Sequence, residues 1–244
     1  MILRCCGSGS SGNSYSLITK SGEILAVEAG CHFHEFMKMV SWQTSRVCGC
    51  IITHKHKDHA KYVKDFLKSG ICVYGPKETV KSIIEASGTH ITPIQALKRF
   101  CIGEFTITPF NVPHEPDIEC YGYLIEHKEI GKLLFLTDLE YCPYNFRKSK
   151  LNHIIVEANH DPDYMDRGAA NFQHVIQGHM SIDTTCEFLR CNNSSELRNV
   201  ILCHLSSSNA DQEAFVKKAK EIVNCPVFIA GNGLEVDLSG ECPF

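Results

Sequence analysis

The sequence predicts an α/β sandwich in a single domain spanning residues 1–244. Three observations carry that expectation. Short apolar or alternating runs bounded by turn residues recur along the whole chain, segments of helical period are interleaved with them, and no internal repeat, low-complexity tract or Pro/Ser-rich linker divides the chain. With 244 residues, 43% hydrophobic and 21% charged, the chain can bury a sizeable core, which excludes both a disordered chain and a membrane bundle.

In chain order, strands are expected at Tyr15–Thr19, Glu23–Val27, Val47–Ile52 and Ile71–Tyr74, each a short apolar run between turn residues. A helix follows over Asp58–Ser69, where Ala60, Val63, Phe66 and Leu67 share one face, and another over Pro76–Ala86, opened by a proline suited to a first helical position. Strands at Glu104–Asn111, Tyr121–Glu126 and Lys132–Thr137 come next. The alternation then resumes, with strands at Ile154–Glu157, Val200–Cys203 and Val227–Ala230 and helices near Ser181–Arg190 and Asp211–Val223.

Net charge is -4, from 24 basic and 28 acidic residues, so the surface as a whole is not built to grip a polyanion, and any such binding needs a local attraction. Fourteen Cys and 13 His are the unusual counts. The cysteines form no CxxC pair, which leaves a zinc ribbon or a thioredoxin-like site unsupported. The N-terminal MILRCCGSGSSGNS lacks the pattern of a signal peptide, and no stretch approaches the roughly 20 apolar residues of a spanning helix. A cytoplasmic protein without membrane association is expected, its cysteines reduced and serving as small core hydrophobes.

The chemistry concentrates in His54-Lys-His56-Lys-Asp58-His59, an HxHxDH run directly after an apolar strand. Alternate residues of an extended segment share a face, so His54 and His56 can aim at one point, while Asp58 and His59 open the next helix and can aim at a second. Imidazole and carboxylate are the donors that borderline divalent cations take. The plainer alternative is a solvated turn with Asp58 as a helix N-cap. Further donors stand at strand ends: His114 after Val112-Pro, Asp138 after Leu136-Thr, and His204 after Cys203. Each alone reads as a loop residue; together with HxHxDH they read as one site.

The order HxHxDH, His, Asp, His resembles the metallo-β-lactamase superfamily, and the resemblance covers nearly the whole chain. It implies a four-layer αββα sandwich with two divalent metal ions at the edge between the sheets, and the His and carboxylate donors suit zinc or manganese, with iron as an alternative. By that resemblance His54, His56 and His114 hold one ion, Asp58, His59 and His204 hold the other, and Asp138 bridges them. Glu28, in Val27-Glu-Ala-Gly30, stands where the superfamily usually has Asp and would support the ligand loop by hydrogen bonding. Four shorter runs, Ser10-Ser-Gly-Asn13-Ser14, Glu157-Ala-Asn159-His160-Asp161, Gly178-His179-Met-Ser181 and His204-Leu-Ser206-Ser-Ser-Asn209, are similar to signatures of the YycJ (WalJ)-like branch, with Ala158 and Met180 as departures. That branch is associated with nucleases, including a DNA exonuclease activity. Only 66 residues separate Asp138 from His204, too few for a β-CASP insertion.

The resemblance therefore implies a metal-dependent phosphodiesterase or nuclease with nucleic acid, in the first place DNA, as substrate. Two adjacent cations can share a water and lower its pKa, supplying hydroxide near neutral pH. Asp58 would orient that water and take its proton, and His179 or His160 would assist the leaving oxygen. The Gly/Ser loop at 7–14 reads either as an anion-binding nest or as a tight hairpin, with Asn13 and Ser14 as candidate substrate contacts alongside Ser206 and Asn209. Lys55 and Lys57 alternate with the ligands and read as a solvated face, and Trp42, Phe33 and Tyr144 form no stacking platform that sequence alone reveals. A hydrolase of a small ester, thioester, lactam or cyclic nucleotide would use the same centre. A non-enzymatic metal-binding protein is the third reading, disfavoured by seven complete ligand positions.

Overall fold

Along the strand Ile24–Val27 every side chain is buried, yet successive residues enter different cores: Ile24 and Ala26 pack among helices, Leu25 and Val27 against the opposite sheet. The pattern repeats at Leu133–Leu136, where Leu133 and Phe135 face inward and Leu134 and Leu136 outward. Strands apolar on both faces require a layer on each side. Those layers are in place in the computed structural model of the chain, which describes residues 1–87, 91–165, 168 and 172–239.

In chain order the strands are β1 (Ile2–Gly7), β2 (Ser14–Ile18), β3 (Ile24–Val27), β4 (Val47–Ile51), β5 (Val73–Pro76), β6 (Thr92–Ile94), β7 (Phe100–Ile102), β8 (Phe105–Val112), β9 (Cys120–His127), β10 (Gly131–Leu136), β11 (His153–Glu157), β12 (Asn199–Cys203), β13 (Val227–Ile229) and β14 (Glu235–Asp237). One sheet has the order β14-β1-β2-β3-β4-β5-β6 and the other β13-β12-β11-β10-β9-β8-β7. The helices are α1 (Phe33–Met39), α2 (Lys57–Ala60), α3 (Val63–Lys68), α4 (Lys77–Ser87), α5 (Phe172–Gly178), α6 (Ile182–Asn192) and α7 (Gln212–Lys220). Phe36, Val63, Phe66 and Val80 cover the first sheet, Leu189 and Phe215 the second, and Tyr15, Phe105, Tyr123 and Phe135 fill the space between sheets. The expected four-layer αββα sandwich is the observed fold.

Topology gathers the strand ends. Strands β3 to β6 run parallel, as do β10 to β13, and β8 is antiparallel to β9, which is antiparallel to β10. The carboxyl ends of β3 and β4 in one sheet, and of β8, β10, β11 and β12 in the other, therefore carry the residues that can meet at one edge.

Several local expectations are corrected. The helix expected over Asp58–Ser69 is two short helices, because the Tyr62 N–H donates to Ala29 O at 2.9 Å while Asp58 O accepts from Asn13 N at 2.7 Å. The hydrogen bond that would have continued the helix between those two groups is spent on the neighbouring loops. Pro76 ends β5, paired in register with Ile94, and the helix begins at Lys77. Helix α1 went unassigned; its N-terminus is capped by the His32 ring, which accepts from His34 N at 3.2 Å, a cap that preference rules do not flag. Cys5, Cys50, Cys120, Cys186 and Cys203 are buried as core side chains, but Cys72, Cys101 and Cys191 are exposed and play no such part. Among the described residues no helix is long and apolar enough to cross a membrane.

His153, at the start of β11, is fully buried with its Nδ1 3.2 Å from the Asn199 amide nitrogen. Burial, aided by Arg198, pushes its imidazole down to about 4. The unfolded chain binds that proton near the ordinary value of about 6.5, so His153 contributes stability that is complete above 6.5 and lost as pH falls towards 4. Urea unfolding is expected to show a decline of about 3 kcal/mol over that window from this group, and His153→Gln should flatten it by that amount; an unchanged pH profile in the variant would refute the assignment.

Candidate metal centre

His54 follows β4, His114 follows β8, Asp138 follows β10 and His204 follows β12. Three residues at these strand ends, Glu28 (φ 68), Asp138 (φ 50) and His204 (φ 52), hold left-handed backbone conformations without being glycine. Such positions cost of the order of 1–3 kcal/mol each and persist where surrounding contacts over-determine them.

The side chains converge in two overlapping sets. Donor atoms of His54, His56, His114 and Asp138 lie within 4.8 Å of one another, and so do those of Asp58, His59, Asp138 and His204. In the first set the rings of His54 and His56 are 4.6 Å apart, and His114 Nε2 lies 3.3 Å from His56 Nδ1. In the second, Asp138 Oδ2 is 3.1 Å from His59 Nε2 and Asp138 Oδ1 is 3.0 Å from His204 Nδ1. All seven residues expected from the sequence are brought together, and Asp138 belongs to both sets.

The donor chemistry fits divalent cations. One nitrogen of each of three rings is hydrogen-bonded from outside, His54 Nδ1 to Thr53 Oγ1 at 2.9 Å, His114 Nδ1 to Gly178 O at 2.9 Å and His204 Nδ1 to Glu157 Oε1 at 2.8 Å, and His59 Nδ1 faces Glu28 Oε1 at ion-pair distance, 3.2 Å. Orientation of a ring through its far nitrogen is the usual support of a metal ligand. Among the described residues the buried Nε2 atoms of His54 and His204 have no hydrogen-bond partner and face only a carboxylate oxygen each, Asp138 Oδ2 at 3.6 Å and Asp58 Oδ2 at 3.4 Å, an arrangement that a cation seated between nitrogen and oxygen would satisfy.

A model of the beta-lactamase superfamily domain matches residues 30–205. The chain belongs to the metallo-β-lactamase superfamily. It is 23% identical to exodeoxyribonuclease YycJ of Bacillus anthracis, over 94% of this chain and 91% of that protein. Among solved structures it resembles the metallo-β-lactamase fold protein YhfI of Bacillus subtilis (TM-score 0.76, 19% identity, 96% of this chain and 98% of that one). It also resembles a diphosphatase of the PhnP family (0.71, 14%, 96% of each chain) and the short form of human tRNase Z (0.66, 18%, 98% and 99%).

The superfamily's usual Asp after the third strand is Glu28 here. It is buried, 3.2 Å from His59 Nδ1, and its carboxylate accepts from Thr53 N at 3.3 Å, so the longer side chain reaches the ligand loop. Electrostatics are dominated by mutual compensation. Burial drives His54 well below the usual imidazole range, with His59 adding to the effect. Burial acts to raise Asp138, but His204 and His59 outweigh it and hold the carboxyl well below its usual range. His59 and His204 go the other way: burial opposes their protonation, Asp138 overcomes it, and both are held well above the ordinary value, so that protons and divalent cations compete for the same ring nitrogens.

Glu157 joins the centre through partners far from it in sequence. Fully buried at the end of β11, it places Oε1 2.7 Å from His179 Nδ1 and 2.8 Å from His204 Nδ1, while Oε2 accepts from Leu139 N at 3.0 Å and Met180 N at 3.2 Å. Asp138, Glu157, His179 and His204 form a third set of donors within 4.8 Å. A carboxylate at the end of the apolar run Ile154–Val156 was the same signal that marked Asp138. His160 is buried, its Nδ1 without a hydrogen-bond partner among the described residues, and with His179, Tyr141 and Ser181 it lines a cleft of about 310 Å³ beside the centre.

Asn13 and Ser14, expected at the substrate, are both fully buried. The Asn13 amide donates to Gly9 O at 3.1 Å and Asp58 O at 3.2 Å, and its Oδ1 accepts from Gly9 N at 2.8 Å, so it ties the Gly/Ser loop to the ligand helix; Ser14 is a strand residue of β2. Ser206 and Asn209 are half-buried in the loop after His204, where Ser206 N donates to Asn159 O and Asn209 O accepts from Asp161 N. They stand at the rim.

Gly30 is where this support is tightest, because a Cβ there would overlap the Asp58 carbonyl oxygen and crowd Asn13 N. Gly30→Ala is expected to cost about 1–3 kcal/mol in urea unfolding, against less than about 0.5 kcal/mol for Gly231→Ala, whose surroundings are open. Equal stability of the two variants would contradict the packing described.

Proposed function

We propose that this chain is a dinuclear metal-dependent phosphodiesterase acting on nucleic acid, in the first place on DNA ends. The observation that carries the reading is the sharing of Asp138 between two complete donor sets, with His179 and Glu157 adjoining them. In this reading His54, His56 and His114 would hold one ion and Asp58, His59 and His204 the other, with Asp138 in reach of both. Two divalent cations so held would acidify water and neutralise charge developing on phosphoryl oxygens. A relative named as an exodeoxyribonuclease and structural neighbours named as a diphosphatase and a tRNase support a phosphorus centre over a carboxylic ester, thioester or lactam.

The chain's own groups divide the remaining work. Asp58 is the carboxylate of the centre most open to solvent, its side chain 21% exposed, and the imidazoles of His204 and His59 outweigh burial to keep it ionised. It is placed to orient the attacking water and take its proton. His179 is fixed by Glu157, which counters burial and holds the imidazole above its ordinary value, so the ring carries a proton to the leaving oxygen. His160, in the same cleft, orders the leaving side.

Two outcomes are expected. End-labelled DNA should be degraded by the protein loaded with Mn²⁺ or Zn²⁺ and spared after EDTA treatment; intact DNA with faster turnover of a small thioester or lactam would overturn the reading. His179→Ala should lower kcat by roughly 10²–10⁴-fold for a nucleotide leaving group but far less for p-nitrophenolate, which needs no proton; an equal loss on both substrates would remove His179 from the proton path.

A further inference from the structure

The chain has a single tryptophan, and Trp42 is 58% exposed. It is held there at some expense, since Ser41 (φ 53) and Trp42 (φ 60) are consecutive left-handed residues without a glycine. The turn is fixed by Ser41 N donating to Lys38 O at 3.0 Å and Trp42 N to Met37 O at 2.7 Å. An exposed apolar ring on a strained, well-bonded turn is a presented group.

Trp42 heads a row of rings. Its centroid is 5.2 Å from that of His34, His34 is 6.4 Å from His32, and His32 is 5.0 Å from Tyr62. Glu35 steadies the middle of the row, its Oε1 lying 3.2 Å from His34 Nδ1 and 3.1 Å from Lys38 Nζ. The near end is tied to the metal-centre helix, because Tyr62 stands three residues after His59, its N donates to Ala29 O, and Ala29 N donates to His59 O. Alongside the row, Lys61 Nζ sits 5.2 Å from the Tyr62 ring centre. Residues 54–68 hold five lysines against two aspartates, and Lys55, Lys57, Lys61, Lys64 and Lys68 are all exposed, in a chain whose net charge is -4.

We infer that the ring row from Tyr62 through His32 and His34 to Trp42, with Lys61 against its near end and the exposed lysines of residues 55–68 on the segment that carries Tyr62, is a track for single-stranded nucleic acid leading away from the metal centre. Bases stack on exposed rings irrespective of their identity, and phosphates take the ammonium groups. Rings and cations side by side match a strand that carries both, whereas a protein partner would be met by apolar surface without the excess positive charge. The track rests on the phosphodiesterase reading and specifies the substrate as a strand of several nucleotides, because the row extends well beyond one scissile bond.

The sole tryptophan makes the test direct. Metal-loaded protein is titrated with single-stranded dT12 carrying phosphorothioate linkages, which resist cleavage, while Trp42 emission is followed. Saturable quenching that weakens with salt is expected. Trp42→Ala should bind labelled dT12 roughly ten-fold more weakly and Trp42→Phe nearly as well as the parent. Lys61→Gln with Lys64→Gln should reduce the slope of log affinity against log salt by about 1.4. Unchanged emission, parental affinity in Trp42→Ala, or quenching that tracks protein concentration without dT12 would overturn the track. Hydrolysis of bis(p-nitrophenyl) phosphate, which has no strand to follow, separates the two readings. Hydrolysis with Trp42 silent removes the track alone, and quenching without any hydrolysis removes the catalytic reading and leaves the track.

Discussion

The Asp138 carboxylate lies 3.0–3.6 Å from three imidazoles, His204, His59 and His54, and this contact joins the two halves of the molecule. His54 follows β4 in one sheet and His59 lies in α2 beyond it, while Asp138 and His204 follow β10 and β12 in the other. A carboxylate buried among imidazoles is tolerable only because each charge compensates the next; removal of one partner would leave the others desolvated and unpaired. The left-handed turns at Glu28, Asp138 and His204 belong to the same constraint, since each trades backbone strain for a side chain aimed at this point.

The surrounding structure is arranged to hold that point still. Asn13 and Tyr62 divert backbone groups that would otherwise complete a longer helix, so Asp58 and His59 stand at the head of a short helix tied to two loops. Gly30 permits the close approach, and Glu157 fixes His204 and His179 from behind. The inter-sheet core, with Tyr15, Phe105, Tyr123 and Phe135, supplies the rigidity that keeps the strand ends in register. Function and fold meet in the hydrogen bonds that interrupt regular structure.

Much of this was legible in the sequence because its signals are local. HxHxDH after an apolar strand, and His114, Asp138 and His204 at strand ends, needed only periodicity and donor chemistry to be singled out. Long-range hydrogen bonding was not legible. Nothing adjacent to Asn13 announces that its amide turns inward to Asp58, which is why it read as a substrate contact. The division of the helix after Ala60 depends on Ala29, and the role of Glu157 on His179, partners distant in sequence. The ring row escaped notice for the same reason: His32 and His34 come from α1 and its cap, Tyr62 from the break between two other helices, and only the fold brings them beside Trp42.

The most direct test of a two-ion centre built on a shared carboxylate is the metal content of the purified chain, measured by elemental analysis after equilibration with Mn²⁺ or Zn²⁺ and removal of free metal. Two ions per chain are predicted for the parent, one for His56→Ala, and substantial loss of both for Asp138→Ala. A single ion in the parent, or two ions retained in Asp138→Ala, would contradict the shared role of Asp138.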